Sequence, residues 1–200
     1  MNLKDLLDNI KYTSNEDISQ VFVSNITHTI EKVTEKTLLV TFKNPDFIDM
    51  SKVRASAIIC SSSYKGKKTH IPTVFVDNPR YVYAILASRL ANINYEFTEF
   101  IAVTGTNGKT TTATMIFEIM KSAGISVGMI GTGKITYMNT TFTDCNYSMT
   151  TPDPDLLYNS IKRMQDMGCK LIVMEVSSHA LALQKVAPIK FKISITDGQP

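Results

Sequence analysis

Residues 101–111 read IAVTGTNGKTT: a short apolar run breaks at Gly105 and Gly108, and a lysine, a row of threonines and an amphipathic stretch follow. A buried strand that must turn through glycines straight into a helix belongs to a parallel sheet with helices packed on it, so this one junction narrows the fold to the α/β class. A loop that holds a triphosphate needs glycines for close backbone approach, successive N–H groups aimed at oxygen, a helix N-terminus behind them, a lysine for the outer phosphates and a hydroxyl for magnesium. Gly105, Thr106, Asn107, Gly108, Lys109, Thr110 and Thr111 supply that set in order. The expected ligands are ATP and Mg2+, with Lys109 and Thr110 as the candidate catalytic residues and Thr110 on the metal. The spacing is GxxGKT rather than GxxxxGK[ST], with Val103 where the first glycine would stand. A merely structural glycine turn would have to produce strand, loop, lysine, hydroxyls and helix together by coincidence.

The remainder of the chain alternates in the same way. After the loop, 109–123 reads as a helix with Met115, Ile116, Ile119 and Met120 on one face and Gly124 as its C-cap, and 127–130 as the next strand. Threonines and tyrosines in 135–149 suggest a hairpin. A second helix is expected over 152–167, with Leu157, Ile161 and Met164 inward and Gly168 ending it, then an apolar strand at 171–176 and another at 189–196. Before the loop, 38–42, 57–60 and 73–76 read as strands separated by polar segments (NPD at 44–46, SSSYKGKK at 61–68). Val82, Ile85, Leu86 and Leu90 recur at helical spacing between 79 and 92. The polar stretch 92–98 marks a domain boundary, giving units 1–97 and 98–200.

At 200 residues with 44% hydrophobic and 20% charged content, there is enough chain for one ordinary domain plus a smaller one. A net charge of +3 spread along the chain argues against nucleic acid or an acidic membrane as partner. Cys60, Cys145 and Cys169 lack metal-ligand or CxxC spacing, as expected of a reducing, cytoplasmic compartment. The opening MNLKDLLDNIKY has no apolar leader, and no run approaches the roughly 18 apolar residues of a membrane span, so no membrane insertion is expected.

Glu175 closes an apolar strand at its carboxyl end, where open parallel sheets bind ligands, and so is a candidate magnesium ligand. A carboxylate there could instead cap the helix that starts near Ser177. With the glycine loop in the same chain, the metal is the preferred reading. Thr151 or Asp153 is a natural N-cap for the helix that follows Pro152. Ser177, Ser178 and His179 lack a nucleophile elbow or a paired acid and are not a hydrolase triad. His28 and His70 read as surface histidines.

VTGTNGKTTT at 103–112, TTPD at 150–153 and MEVSSHAL at 174–181 resemble the central domain of the Mur ligases, most closely the branch that adds the third amino acid of the peptidoglycan stem peptide. VDNPRYVYAILA at 76–87 resembles the segment that precedes that domain. The resemblance implies a small amino-terminal α/β domain that binds the UDP-linked substrate, followed by part of a parallel-sheet ATP-binding domain. It also implies a reaction: ATP phosphorylates the carboxylate of a UDP-N-acetylmuramoyl-peptide, and an incoming amino acid attacks the acyl phosphate. Thr150, Thr151, Ser177 and Lys185 are the substrate contacts it implies, and Glu175 with Thr110 the metal ligands.

Where the family shows a glutamine and an arginine after SSHAL, this chain has Leu183 and Lys185, and Thr29, Ile30 and Glu31 stand in place of the uridine-domain motif. The sequence ends at DGQP, ahead of the family's second metal site and amino-acid domain, so these 200 residues alone are expected not to complete amide formation. The alternatives are a nucleotide-binding remnant without catalysis, or a related ligase acting on another muramoyl peptide or on folate.

Overall fold

Runs of aliphatic and β-branched residues bounded by polar turns become parallel strands wherever both faces can be covered. In the computed structural model, which describes residues 1–42, 49, 53–64, 70–143, 145 and 147–197, the chain divides into two units, Met1–Leu90 and Ala91–Pro200. The first comprises α1 (Leu3–Leu6), β1 (Thr13–Ser14), β2 (Asn25–Thr27), a 3-10 turn (Ile30–Lys32), β3 (Thr37–Val40), β4 (Ala57–Ser61), β5 (Thr73–Val76) and α2 (Pro79–Leu90). Its sheet runs β1-β5-β4-β3-β2, parallel except for β1 on the β5 edge. The turn expected at 44–46 and residues 65–68 of the next polar segment lie outside the described residues.

Every residue of β3 is buried, as are Ala57–Cys60 of β4, and Leu39, Val53, Ile58 and Ile71 form a cluster on one side of the sheet. Arg89 at the end of α2 donates to the carbonyls of Leu6 and Asp8 at 2.7 Å each, satisfying oxygens that α1 leaves unpaired at its end. His28 is half-buried rather than a surface residue. Its ring lies 5.5 Å from that of Phe42 and 5.7 Å from that of Tyr83, and the Arg80 guanidinium stacks 4.3 Å over Phe42. Those neighbours come from distant parts of the chain, which is why local polarity misplaced it. His70 is exposed.

The second unit contains β6 (Glu99–Val103), α3 (Lys109–Ser122), β7 (Val127–Gly131), β8 (Lys134–Tyr137), β9 (Thr140–Thr141), α4 (Pro154–Asp166), β10 (Leu171–Glu175), α5 (Ser178–Ala182) and β11 (Ile193–Ile195). The sheet order is β11-β6-β10-β7-β8-β9, the first four strands parallel and the last two a hairpin. The α/β architecture expected from the strand–loop–helix junction is the one observed. β10 inserts between β6 and β7, and its register sets Glu175 level with Val103, the last strand residue before the glycine loop.

Two local expectations change. Helix α3 buries Ala113 and Phe117, with Ile116 and Met120 packed beside them, while Met115 and Ile119 are 61% and 64% exposed. The helix carries apolar residues on two faces, and the stripe at i, i+3, i+4 and i+7 from Ala113 is the one turned to the sheet. The polar stretch 92–98, read as a domain boundary, is tied to α4: Gln165 accepts from the Asn94 amide at 3.1 Å and donates to the Asn94 carbonyl at 2.7 Å and to the Thr98 hydroxyl at 3.2 Å. In α4 itself, Leu157, Ile161 and Met164 face inward as expected, and Gly168 leaves the helix at φ +89°.

Candidate functional site

The loop between β6 and α3 turns at two glycines with positive φ, Gly105 (+134°) and Gly108 (+73°), conformations that side chains with a Cβ rarely adopt. Gly108 stands at the N-cap position of α3, so the next residues present backbone N–H groups and the positive end of the helix dipole to the space above the sheet. Lys109 folds back over the loop, its ammonium donating to the Gly105 carbonyl at 2.7 Å and to the Thr106 carbonyl at 3.3 Å.

One residue further, the Thr110 hydroxyl donates to Glu175 Oε2 at 2.9 Å. Glu175 is 1% exposed, and its carboxylate also accepts from the Thr132 amide (3.1 Å, on Oε1) and hydroxyl (3.2 Å, on Oε2). The helix-cap alternative for Glu175 fails, because Ser177 caps α5 with its own Oγ, accepting from the Ala180 amide at 3.1 Å. Gly131, the last residue of β7, allows the carboxylate in: a Cβ there would sit 2.2 Å from Glu175 Oε1. The Tyr147 hydroxyl donates to the carbonyls of Gly131 and Lys134, holding the start of the hairpin. Burial, with the Glu175 charge adding to it, pushes that phenol well above its usual range, so it remains a neutral donor. A cavity of about 430 Å³ opens from Thr110, Thr132 and Glu175 between α3 and the β8–β9 hairpin.

Among the described residues, no group of three or more His, Cys, Asp or Glu side chains could hold a metal by itself. A hydroxyl and one carboxylate 2.9 Å apart at the edge of an N–H-lined loop fit the other habit, in which Mg2+ takes one or two protein ligands and completes its shell with phosphate oxygens and water.

The remaining predicted residues fall in a second cluster beside the first. Thr151 is buried, its Oγ1 donating to the Glu175 carbonyl at 3.0 Å and accepting from the Ser177 amide at 3.2 Å, which ties the 150–153 turn to the end of β10. Thr150 lies within 3.4 Å of the Thr132 hydroxyl, next to the carboxylate. Lys185 is 5% exposed, its ammonium 2.8 Å from Asp153 and 3.3 Å from the Thr151 carbonyl, and so braces that turn from behind. Asp153 occupies the N-cap position of α4 but spends its side chain on Lys185 rather than on a helix amide. Thr111 is exposed on the first turn of α3. Thr132, Gly131, Tyr147 and Asp197, which accepts from the Thr106 amide at 2.6 Å, are part of this candidate site and were missed. A glycine and a threonine just past an apolar strand were the available signal for the first two.

Thr151→Val keeps the shape of the side chain and leaves two backbone groups at a buried strand end unpaired. It is expected to destabilise the chain by about 2–4 kcal/mol, and Thr151→Ser by well under half of that. Paired denaturant titrations check the difference, and equal losses in the two variants would contradict the hydrogen-bonding role.

Residues 103–196 match the Mur ligase middle domain. The chain is 35% identical to the UDP-N-acetylmuramoyl-L-alanyl-D-glutamate–2,6-diaminopimelate ligase of Alkaliphilus metalliredigens, over 98% of this chain and 40% of that protein. It is 38% identical to the enzyme of the same name from Chlorobium phaeobacteroides, over 62% of this chain and 24% of that one. A solved structure of a ligase with that name superimposes with a TM-score of 0.76 at 17% identity, covering 98% of this chain and 40% of the other. The UDP-N-acetylmuramoylalanyl-D-glutamyl-2,6-diaminopimelate–D-alanyl-D-alanyl ligase from Acinetobacter baumannii gives a TM-score of 0.54 at 15% identity, over 88% of this chain and 36% of the other. The chain thus spans well under half the length of the relatives it matches.

Proposed function

Because the chain belongs to the Mur ligase family, we propose that it serves an ATP-dependent ligase of peptidoglycan precursor synthesis, one that joins the third amino acid to a UDP-N-acetylmuramoyl-dipeptide. Residues 98–200 are read as nucleotide-binding and 1–97 as the unit that takes the UDP end of the substrate. The γ-phosphoryl group of ATP passes to the substrate carboxylate as ADP leaves; the amine nitrogen then attacks the acyl carbon, expelling phosphate and losing a proton.

In that scheme the N–H groups of the 105–111 loop and the Lys109 ammonium bind and orient the phosphates, which is most of what phosphoryl transfer asks of a protein. Thr110 and Glu175 are the residues that would hold Mg2+, which would supply charge neutralisation between the phosphates. Thr150, Thr151 and Ser177 are read as the residues that meet the substrate carboxylate, Thr151 from a buried position beside the end of β10, and Lys185 acts on it through the turn it braces. Among the described residues no helix is long and apolar enough to cross a membrane, and a cytoplasmic site of action, where UDP-linked precursors and ATP meet, fits the reading.

The observation that carries the proposal is the hydrogen bond between Thr110 and Glu175, which joins the first turn after the glycine loop to the end of the neighbouring parallel strand. Calorimetric titration of ATP into the chain tests it. One site is expected in the presence of Mg2+, weakened about tenfold or more when the metal is chelated. Folded protein that takes up no heat with Mg–ATP would sink the nucleotide reading.

A further inference from the structure

The peptide group joining Gly105 to Thr106 is gripped from both sides. Its carbonyl accepts from the Lys109 ammonium at 2.7 Å, and its N–H donates to Asp197 Oδ2 at 2.6 Å. The same carboxylate oxygen accepts from the Thr106 hydroxyl at 2.7 Å. A trans peptide is a rigid plane whose C=O and N–H point in opposite directions, so fixing one end fixes the other. Gly105 is what allows the approach, since a Cβ there would lie 2.7 Å from the Asp197 carboxyl carbon. Asp197 follows β11, which pairs in parallel with β6, so the strand beside the loop's own strand delivers the carboxylate.

We propose that Asp197 is a positioning residue for the phosphate loop: its carboxylate locks the Gly105–Thr106 peptide plane, and through that plane holds the Lys109 ammonium at the height where it meets the outer phosphates. The proposal rests on the nucleotide reading for its purpose, though not for its geometry. It assigns a task to the second residue after β11 that no property of the glycine loop alone would supply. What is required of Asp197 is an acceptor in the right place, not a negative charge, and this separates the clamp from a carboxylate that competes with phosphate for the same N–H.

Two variants and two readouts test this on the 200-residue chain. Amide exchange at Thr106, followed by NMR without nucleotide, is expected to quicken about tenfold or more in Asp197→Ala and to stay within about threefold of wild type in Asp197→Asn, which keeps the oxygen acceptor. The dissociation constant for Mg–ATP should follow the same order, about tenfold weaker for alanine and near wild type for asparagine. Asp197 is exposed, so both variants should melt with the wild type.

Unchanged Thr106 exchange in Asp197→Ala overturns the clamp. So does asparagine failing as badly as alanine, or tighter ATP binding in either variant. If wild type binds no ATP while the exchange pattern is as expected, the nucleotide reading falls and the clamp stands as a loop-ordering contact.

Discussion

Lys109→Ala is expected to weaken Mg–ATP binding by about a hundredfold or more, while shifting the melting temperature little. Among the described residues the ammonium, on the rim of the loop, bonds to the carbonyls of Gly105 and Thr106, both of which water can serve once the side chain is gone. Folding therefore loses little. A triphosphate, by contrast, loses the one loop side chain that brings a full positive charge to its outer oxygens, and charge-assisted bonds of this kind are about twice as strong as neutral ones. A hundredfold corresponds to about 2.7 kcal/mol, within reach of one or two such bonds. Lys109→Arg should recover only part of the affinity, since a planar fork does not replace a compact charge folded over two carbonyls. Calorimetry on the three proteins decides it, and an alanine variant within threefold of wild type would remove Lys109 from the site.

How much of this was legible beforehand depends on how local each signal is. The glycine loop could be read because strand end, glycines, lysine and helix start all lie within eleven residues, and each has a physical task there. Glu175 could be read because the carboxyl end of a buried strand is a place where ligands gather. Its surroundings could not. Thr132 is 43 residues away and reaches Glu175 only because β10 inserts beside β7, a pairing that no local pattern encodes. Asp197, 91 residues from Thr106, meets it only because β11 pairs beside β6, which is equally non-local. The error on α3 has another source: apolar residues cover two faces of that helix, and only the sheet chooses between Phe117 and Ile119. His28 was misread because Phe42 and Tyr83, which enclose it, arrive from a later segment and from α2.

Gly131→Ala should be strongly damaging for a single added methyl. Gly131 has no need of positive φ, so backbone strain is not the issue; the new Cβ would lie 2.2 Å from Glu175 Oε1, 3.1 Å from Cδ and 3.4 Å from Cγ. Glu175 is buried and held by Thr110 and by two donors of Thr132, so moving the carboxylate aside breaks three hydrogen bonds to a charged group. Overpacking of this kind costs about 1–3 kcal/mol before the lost bonds are counted, and with them a loss of about 3–4 kcal/mol is expected by chemical denaturation. The Mg2+ dependence of ATP binding should disappear with it, because the carboxylate proposed to share the metal with Thr110 no longer faces it. Glu175→Ala supplies the control: with the carboxylate removed the added methyl has room, so Gly131→Ala in that background should change stability by less than about 1 kcal/mol. Independent, additive losses in the double variant would mean that Gly131 serves the strand rather than the carboxylate, and the route by which β7 shapes the proposed metal site would have to be sought at Thr132 alone.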